Sequence, residues 1–448
     1  MKKFFFIIVV SILLIGSISF YLIVNNGYDK QNKIILLIKE IIPSSVSRKI
    51  RDTIFTIPNL KERNNFLSLQ VEKYEQGLEG NLFLNNTIKS NNNIDYNIKE
   101  FFLPFPRLDT RLGWAATKNS RRAHYFEIVK DKVLAISGVG QIIYFQKENL
   151  NKKKLNQIEI KNNLKNYLKS KKYELIGIRD LFIEDDYVYI SVQHRDPNGF
   201  TINIYRAKLN FKELDFKPFF TPNEYWPKYN VFSGGRIETY KDNKILFSIG
   251  FAYVKSAAQN KNSLLGKIIS INKDTSKFEL ISIGHRNPQG LFYDKSRDLI
   301  INTEHGPKGG DEINLNFQKS KEIPNYGWDI ASYGTPYSGE DFFKKSHAQY
   351  GFVEPFKNYT PSIGISEVVY ISKKDNFNTT KNTLYASSLR AGSIYIINTN
   401  DDLNEITKED RLFFKSKRIR DLEYDEDLNA FLILFEFTPS IGILSLNN

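Results

Sequence analysis

The stretch "GHRNPQGLFYDKSRDLIINTEHGPKGGDEINL", Gly284 to Leu315, stands apart from the lysine-, asparagine- and isoleucine-rich chain around it. Two short apolar runs are separated by "DKSRD", a turn of opposed charges. They are flanked by loops dense in glycine, proline and histidine. Runs of β-branched and aromatic residues bounded by such punctuation read as strands, and a polar turn between two of them reads as a hairpin.

The same signal recurs outward from this stretch. "KVLAISGVGQIIYFQ", "YVYISVQ", "FTINIYRAKL", "KILFSIGF", "LLGKIISIN", "TLYASSL", "GSIYIINT" and "FLILFEF" are strand-like, and acidic or Asn-containing turns precede strands in "YKDNKILFSIG", "NTTKNTLYAS" and "YDEDLNAFLIL". Hairpins repeating every few tens of residues suggest a radial array of small antiparallel sheets, a β-propeller, which leaves few exposed edges. Periodicity alone leaves a pair of β-sandwiches open.

The chain has 448 residues, 41% apolar and 14% aromatic, enough for a substantial core. It has no cysteine, which excludes disulfides, thiolate nucleophiles and thiolate metal sites. The net charge of +13 comes from 63 basic and 50 acidic residues spread through the chain. Apart from local runs such as "NKKKL" and "KSKK", the excess reads as solvated lysine; no nucleic-acid motif accompanies it, and no nucleic-acid partner is expected.

Residues before about 116 read differently. "MKK" precedes the uncharged run Phe4–Val24, long enough for a bilayer's hydrocarbon core. The paired lysines favour a cytoplasmic N-terminus. The expectation is an uncleaved transmembrane anchor over residues 1–28 in the inner membrane, with the C-terminal body on the periplasmic side. A cleaved signal peptide gives the same compartment. Residues 29–115, with helical spacing broken at Pro43, read as a mainly helical stalk and linker. Residues 116–448 then form the all-β propeller.

In a propeller the loops at one end of the axis converge. Arg286 and Asn287 in "GHRNPQG" supply a fixed cation and a two-way hydrogen bonder. "EHGPKGGDE" combines the backbone carbonyls of Gly306 and Pro307 with the carboxylates of Asp311 and Glu312, and oxygen ligands of this kind suit calcium. The cationic groups suit an anionic ligand.

With "GHRNPQGL", "TEHGPKGGDEINL" and "NYGWD" in order, the sequence resembles the glucose/sorbosone dehydrogenases, aldose sugar dehydrogenases that use pyrroloquinoline quinone. "SGGRI", "SLLGKIISIN", "PSIGIS", "SLRAG" and "RIRDL" extend the resemblance over roughly residues 120–446. It implies a six-bladed propeller. It also implies that Gly306 and Pro307 carbonyls hold a calcium ion, and that Arg286 and Asn287 contact the quinone end of the cofactor. Arg390 falls where the family has a lysine, Arg418 and Arg420 match arginines that bind cofactor carboxylates, and Tyr359 falls near an aromatic position on the substrate side. Asp311, Glu312 and the Tyr326 carbonyl match a region that can bind a second calcium.

One part of the pattern fails. The family's proton-accepting histidine aligns with Phe232 in "YNVFSGGRI", and the aspartate that orients it aligns with Phe251 in "SIGF". A phenyl ring accepts no proton. Leu175 stands near the position of a glutamine that helps hold the family's site. Among the remaining histidines, His305 is the candidate base, because it precedes the calcium-binding carbonyls. The loop-bracing reading applies to both His285 and His305, while His124, His194 and His347 are expected to be exposed. Trp328 reads as a packed structural residue. The resulting expectation is quinone- and calcium-dependent oxidation of a sugar or related alcohol with an altered base. The alternative is an inactive propeller that binds a glycan or another envelope component.

Overall fold

The computed structural model describes residues 80–105, 123–228, 232–318, 322–337, 343–372, 381–415, 417–436 and 439–446. They form six antiparallel sheets around one axis, with the innermost strand of each sheet against the next and the sixth against the first. This is a six-bladed propeller.

Blade 1 contains Tyr125–Val129, Lys132–Ile136, Ile142–Gln146 and Ile158–Asn162, with the two-residue strand Glu213–Leu214 added in parallel at its edge. Blade 2 contains Glu174–Glu184, Tyr187–Asp196, Gly199–Lys208 and Lys217–Phe220; blade 3 contains Gly234–Tyr240, Lys244–Ile249, Lys267–Asn272 and Phe278–Ile283. Blade 4 contains Pro288–Asp294, Leu299–Glu304, Asp311–Phe317 and Lys357–Tyr359; blade 5 contains Ile365–Ile371, Asn382–Ser388, Ser393–Thr399 and Ile406–Phe413. The hairpin turns explain the register. Asp185–Asp186 and Asp242–Asn243 have positive φ at both central positions, the geometry that matches strand twist and that Asp and Asn tolerate.

Blade 6 corrects the expected domain boundary. Its inner strands, Ile419–Asp425, Ala430–Phe435 and Ser440–Leu446, are completed by Asp95–Phe102 and Leu82–Lys89. These two strands lie inside the stretch read as stalk. Leu82–Lys89 is an edge strand with four exposed positions and none fully buried, and its apolar residues run together at Leu82–Leu84, so it carries little of the alternation that marks a half-buried strand. The anchor segment and the rest of the expected stalk lie outside the described residues. Among the described residues, no helix is long and apolar enough to cross a membrane.

Apolar cores fill the wedges between blades, since each sheet buries both faces except at its outer edge. At the axis sits Arg236, on the inner strand of blade 3. Its guanidinium donates to Asp180 of blade 2 and Asp421 of blade 6, both at 2.5 Å, to the Gln289 carbonyl of blade 4, and pairs with Glu367 of blade 5. Asp421 in turn accepts from the Phe126 N–H of blade 1. Gly235 beside it is required sterically, because a Cβ there would lie 2.3 Å from the Arg179 Cβ.

Three histidines expected at the surface are buried: His124, His194 and His347 are each at most 1% exposed. Isolated histidines carry no periodic signal, and here tertiary packing decides. His194 stacks on Tyr173 and contacts the Asn203 amide through Nε2. Burial pushes it down to about 4.

Two predictions follow from this architecture. A chain beginning at residue 80 retains all six sheets, whereas one beginning at residue 106 leaves blade 6 with a bare edge and loses the cooperative thermal transition seen by circular dichroism. Because the folded pKa of His194 lies below its unfolded value, His194 costs nothing above about pH 6.5 and destabilises progressively as pH falls towards 4, by about 3 kcal/mol in total. Denaturant titrations at pH 7 and pH 4.5 check this: His194→Gln should lack that part of the acid sensitivity.

Candidate functional site

Each inner strand starts, and each second strand ends, at the same end of the axis. The loop ahead of blade 3 therefore brings Phe232, and the loop after its second strand brings Phe251 and Tyr253. Blade 4 brings Arg286, Asn287 and the segment His305–Gly310; blade 5 brings Arg390; blade 6 brings Arg418, Arg420 and Glu436. Positions scattered over 200 residues meet because the topology repeats.

A continuous set of contacts joins them. Arg286 Nη1 donates to the His305 carbonyl at 2.7 Å, and its backbone N–H donates to Glu304 at 2.6 Å. Asn287 Oδ1 accepts from the Gly234 N–H, and the Asn287 carbonyl accepts from the His305 N–H. Gln289 Oε1 accepts from Arg420 at 2.8 Å. Arg420 and Arg418 both clamp Glu436, each through Nε at 2.7 Å. Their pairing partner is thus Glu436, at the far end of "FLILFEF"; Asp421, next to Arg420 in sequence, pairs with Arg236. Burial opposes the Arg420 charge, but Glu436 outweighs it and raises its pKa above the ordinary value.

The Gly306 N–H donates to Asp311 Oδ1 at 3.0 Å, and Asp311 Oδ2 accepts from the Gly364 and Ile365 N–H groups. Asp311 thus braces the loop through three backbone donors, the bracing role that stood beside metal binding for this residue. Gly306 has no room for a side chain, since a Cβ would lie 2.2 Å from the carbonyls of Gly309 and Gly310. The Pro307 carbonyl accepts from the hydroxyls of Tyr337 and Ser362, and the Ser362 carbonyl accepts from Arg390.

Glu312 and Tyr326 line a small cavity with Arg286, Glu304, His305 and Trp328. Glu312 receives a long contact from Asn314 and lies 3.7 Å from His347; burial and the nearby Glu304 charge push its carboxyl well above the usual range. The Tyr326 ring stacks on His285. His285 itself bridges Ser282 and Glu304, as expected for a loop brace. A larger depression, about 710 Å³ over the rim of blade 1, is lined by residues such as Gly140, Asn162 and Lys165 and takes in none of this constellation.

Tyr359 is a correction. Lys357–Tyr359 is the outer strand of blade 4, and its Tyr359 ring packs on Tyr395 with the hydroxyl towards Glu409. The ring points into the core between blades 4 and 5, away from the mouth. Leu175 likewise packs in the core between blades 1 and 2. Trp328, read as structural, stands at the site: its ring and that of Phe232 both lie against the Arg286 guanidinium, at 5.1 and 4.6 Å. Phe251, Tyr253 and Phe343 extend this aromatic wall. Tyr253, Tyr337, Gln289 and Glu436 were not found from sequence. Only Glu436 left a trace there, as a carboxylate closing an otherwise apolar strand.

The residues fit an anionic cofactor. Arg418 and Arg420 share Glu436, while Arg286 and Arg390 donate to the backbone carbonyls of His305 and Ser362, and the buried Arg286 Nε has no partner among the described residues. Calcium takes hard oxygen donors, and the Gly306–Pro307 loop carries backbone carbonyls at that mouth. Among the described residues no three His, Asp or Glu side chains group as a metal site, so the fit rests on the carbonyls. His305 lines the same cavity, and burial, reinforced by Arg286, Arg420 and Arg418 against Asp311, pushes it down to about 4. Its imidazole is neutral at pH 7, and the same burial and arginines disfavour the protonated form.

Residues 133–436 match the sequence profile of Glucose / Sorbosone dehydrogenase. An uncharacterized protein of Synechocystis is 29% identical over 282 residues, covering 58% of this chain and 66% of that protein. The aldose sugar dehydrogenase YliI of Escherichia coli is 28% identical over 255 residues, covering 53% of this chain and 66% of that protein. The chain thus spans slightly under two thirds of the length of these relatives. The PQQ-bound form of aldose sugar dehydrogenase from Streptomyces coelicolor shares the fold, with a TM-score of 0.54 at 18% identity over 73% of this chain and 95% of that one.

The Glu436 clamp yields a direct test. Glu436→Gln leaves two buried guanidinium groups without their counter-charge, and unfolding by denaturant should show a loss of about 3–5 kcal/mol.

Proposed function

Because the chain belongs to the glucose/sorbosone dehydrogenase family, we propose that it oxidises an aldose sugar or related alcohol, using pyrroloquinoline quinone and calcium, with His305 in place of the usual base. The observation that carries this is a mouth where Arg286 and Arg390 donate to backbone carbonyls and the buried Arg286 Nε has no partner among the described residues, which suits an anionic cofactor. The quinone-bearing relative of Streptomyces coelicolor supports the choice of cofactor. When bound, that cofactor accepts the two electrons released from the alcohol carbon.

The chain's own residues have separate tasks. Arg390, Arg418 and Arg420 hold cofactor carboxylates, while Arg286 and Asn287 orient its quinone end. Gly306 and Pro307 supply carbonyls to calcium; Glu312 and the Tyr326 carbonyl are the matching donors for a second ion. His305 takes the hydroxyl proton at a ring nitrogen. Phe232, Phe251 and Trp328 exclude water, which strengthens the charges they enclose. The proposal extends to location: the run Phe4–Val24 anchors the chain in the inner membrane, with the propeller on the periplasmic side.

A second reading has its own observation. The wall of Phe232, Phe251 and Tyr253 is apolar where a base and its orienter would be polar, and suits a binding propeller that grips a glycan without oxidising it.

Full-length protein supplied with quinone and calcium should reduce a dye when given aldoses. His305→Gln should lower the rate by about 10²–10⁴-fold with cofactor titration unchanged. Stoichiometric cofactor binding without turnover for any aldose would overturn the enzyme reading in favour of the binding one. The pair Phe232→His with Phe251→Asp should then create activity.

A further inference from the structure

The wedge between blades 3 and 4 differs from the other five. Among the described residues each of those holds thirteen or more buried apolar residues, and this one holds six. The remainder of its surface is polar. On the blade 4 side, Asn302 pairs in register with Asn314, Glu304 with Glu312 and Ile300 with Asn316, so these side chains share one face. Ile300 packs with Ile268 of blade 3, which fixes that face towards blade 3 and places Ser270, two residues along, on the facing strand.

These side chains are at most 6% exposed, yet several of their atoms lack a hydrogen-bond partner among the described residues. They are both amide atoms of Asn302, Oδ1 of Asn314, Nδ2 of Asn316 and the Ser270 hydroxyl. Leaving so many buried groups unmatched is costly, and native proteins satisfy them. The unmatched set includes donors and acceptors. A cation would satisfy the oxygens and leave the amide N–H groups facing it, and an anion would do the reverse. Water donates and accepts at once, and it needs polar partners of this kind.

The seam also has two ends. At the mouth, Asn314 Nδ2 donates to Glu304 at 2.9 Å, and Glu304 lines the pocket with Arg286 and His305. At the other end, Asn316 Oδ1 accepts from Gln318, which meets the Tyr240 hydroxyl. Six residue steps lead from Glu312 to Gln318, a span of about 20 Å.

We infer that the seam between blades 3 and 4 binds a file of water that connects the pocket to the opposite end of the propeller and conducts protons between them. Along such a file each water gives up one proton as it receives another, so only a proton crosses. The presence of the file is independent of the proposed chemistry; the proton's source rests on the dehydrogenase reading.

A crystal structure of the full chain at about 1.5 Å should show waters bonded to Asn302, Asn314 and Ser270, and a dry seam overturns the proposal. Asn302→Leu, nearly isosteric, strips partners from bound water and should lower Tm by about 2–4 °C. A rise in Tm would mean that the asparagine had been buried dry, and refutes the file. If that variant does not fold, Ser270→Val is read in the same way. With quinone, calcium and an aldose, Asn302→Leu should turn over several-fold more slowly, at unchanged KM and with a larger solvent deuterium effect. Unchanged rate and isotope effect overturn the conducting role. Absence of turnover in the unsubstituted protein instead refutes the dehydrogenase reading, and the crystal and Tm measurements still decide the file.

Discussion

One guanidinium holds the axis. Arg236 reaches blades 2, 4, 5 and 6 directly from blade 3, and blade 1 through Asp421. Three carboxylates around one cation leave a negative excess in a buried place. Burial, with Asp421 adding to it against the pull of Arg236, raises Asp180 to about 7. Removing the cation would strand three carboxylates at once, the costly way to break a buried ion cluster. The inner strands are held at a common height by this cluster, and the loops they launch inherit that alignment. The mouth is ordered because the axis is.

The fold was largely legible because a propeller is built from a repeated local signal. Strand runs such as "KILFSIGF" and "FLILFEF" and the turns at Asp185–Asp186 and Asp242–Asn243 each declare themselves within about ten residues. The closing strands were not legible. Leu82–Lys89 is a half-exposed edge strand without clear alternation, and its neighbour Asp95–Phe102 finds its other partner, Ser440–Leu446, more than 300 residues away. The burial of His194 and His347 was equally hidden, since it depends on neighbours such as Tyr173 and Tyr333 contributed by other segments.

The site was legible wherever glycine and charge combined in one loop, as at Arg286, Asn287 and Gly306. It was illegible where a side chain's direction decides its role. Tyr359 sits on an outer strand and turns into the core, while Tyr337 on a loop reaches the Pro307 carbonyl. Asp311 reads from sequence only as an acid beside glycines, and its three backbone N–H partners come from two loops that sequence does not bring together. Phe232 and Phe251 read from sequence as losses. In the fold they are also gains, because Phe232 and Trp328 flank Arg286 and give its charge an aromatic setting.

The construction of blade 6 bears on how the protein is made. Its five strands come from both ends of the propeller, and Ser440–Leu446 lies between Asp95–Phe102 and Ala430–Phe435. During synthesis Asp95–Phe102 emerges early and has no partner on that side until the last strand of the ring leaves the ribosome. Until then two early strands present an open edge, and unpaired edges invite association with other chains. The protein's most vulnerable moment therefore precedes the closing of the ring, and the arrival of Ser440–Leu446 ends it.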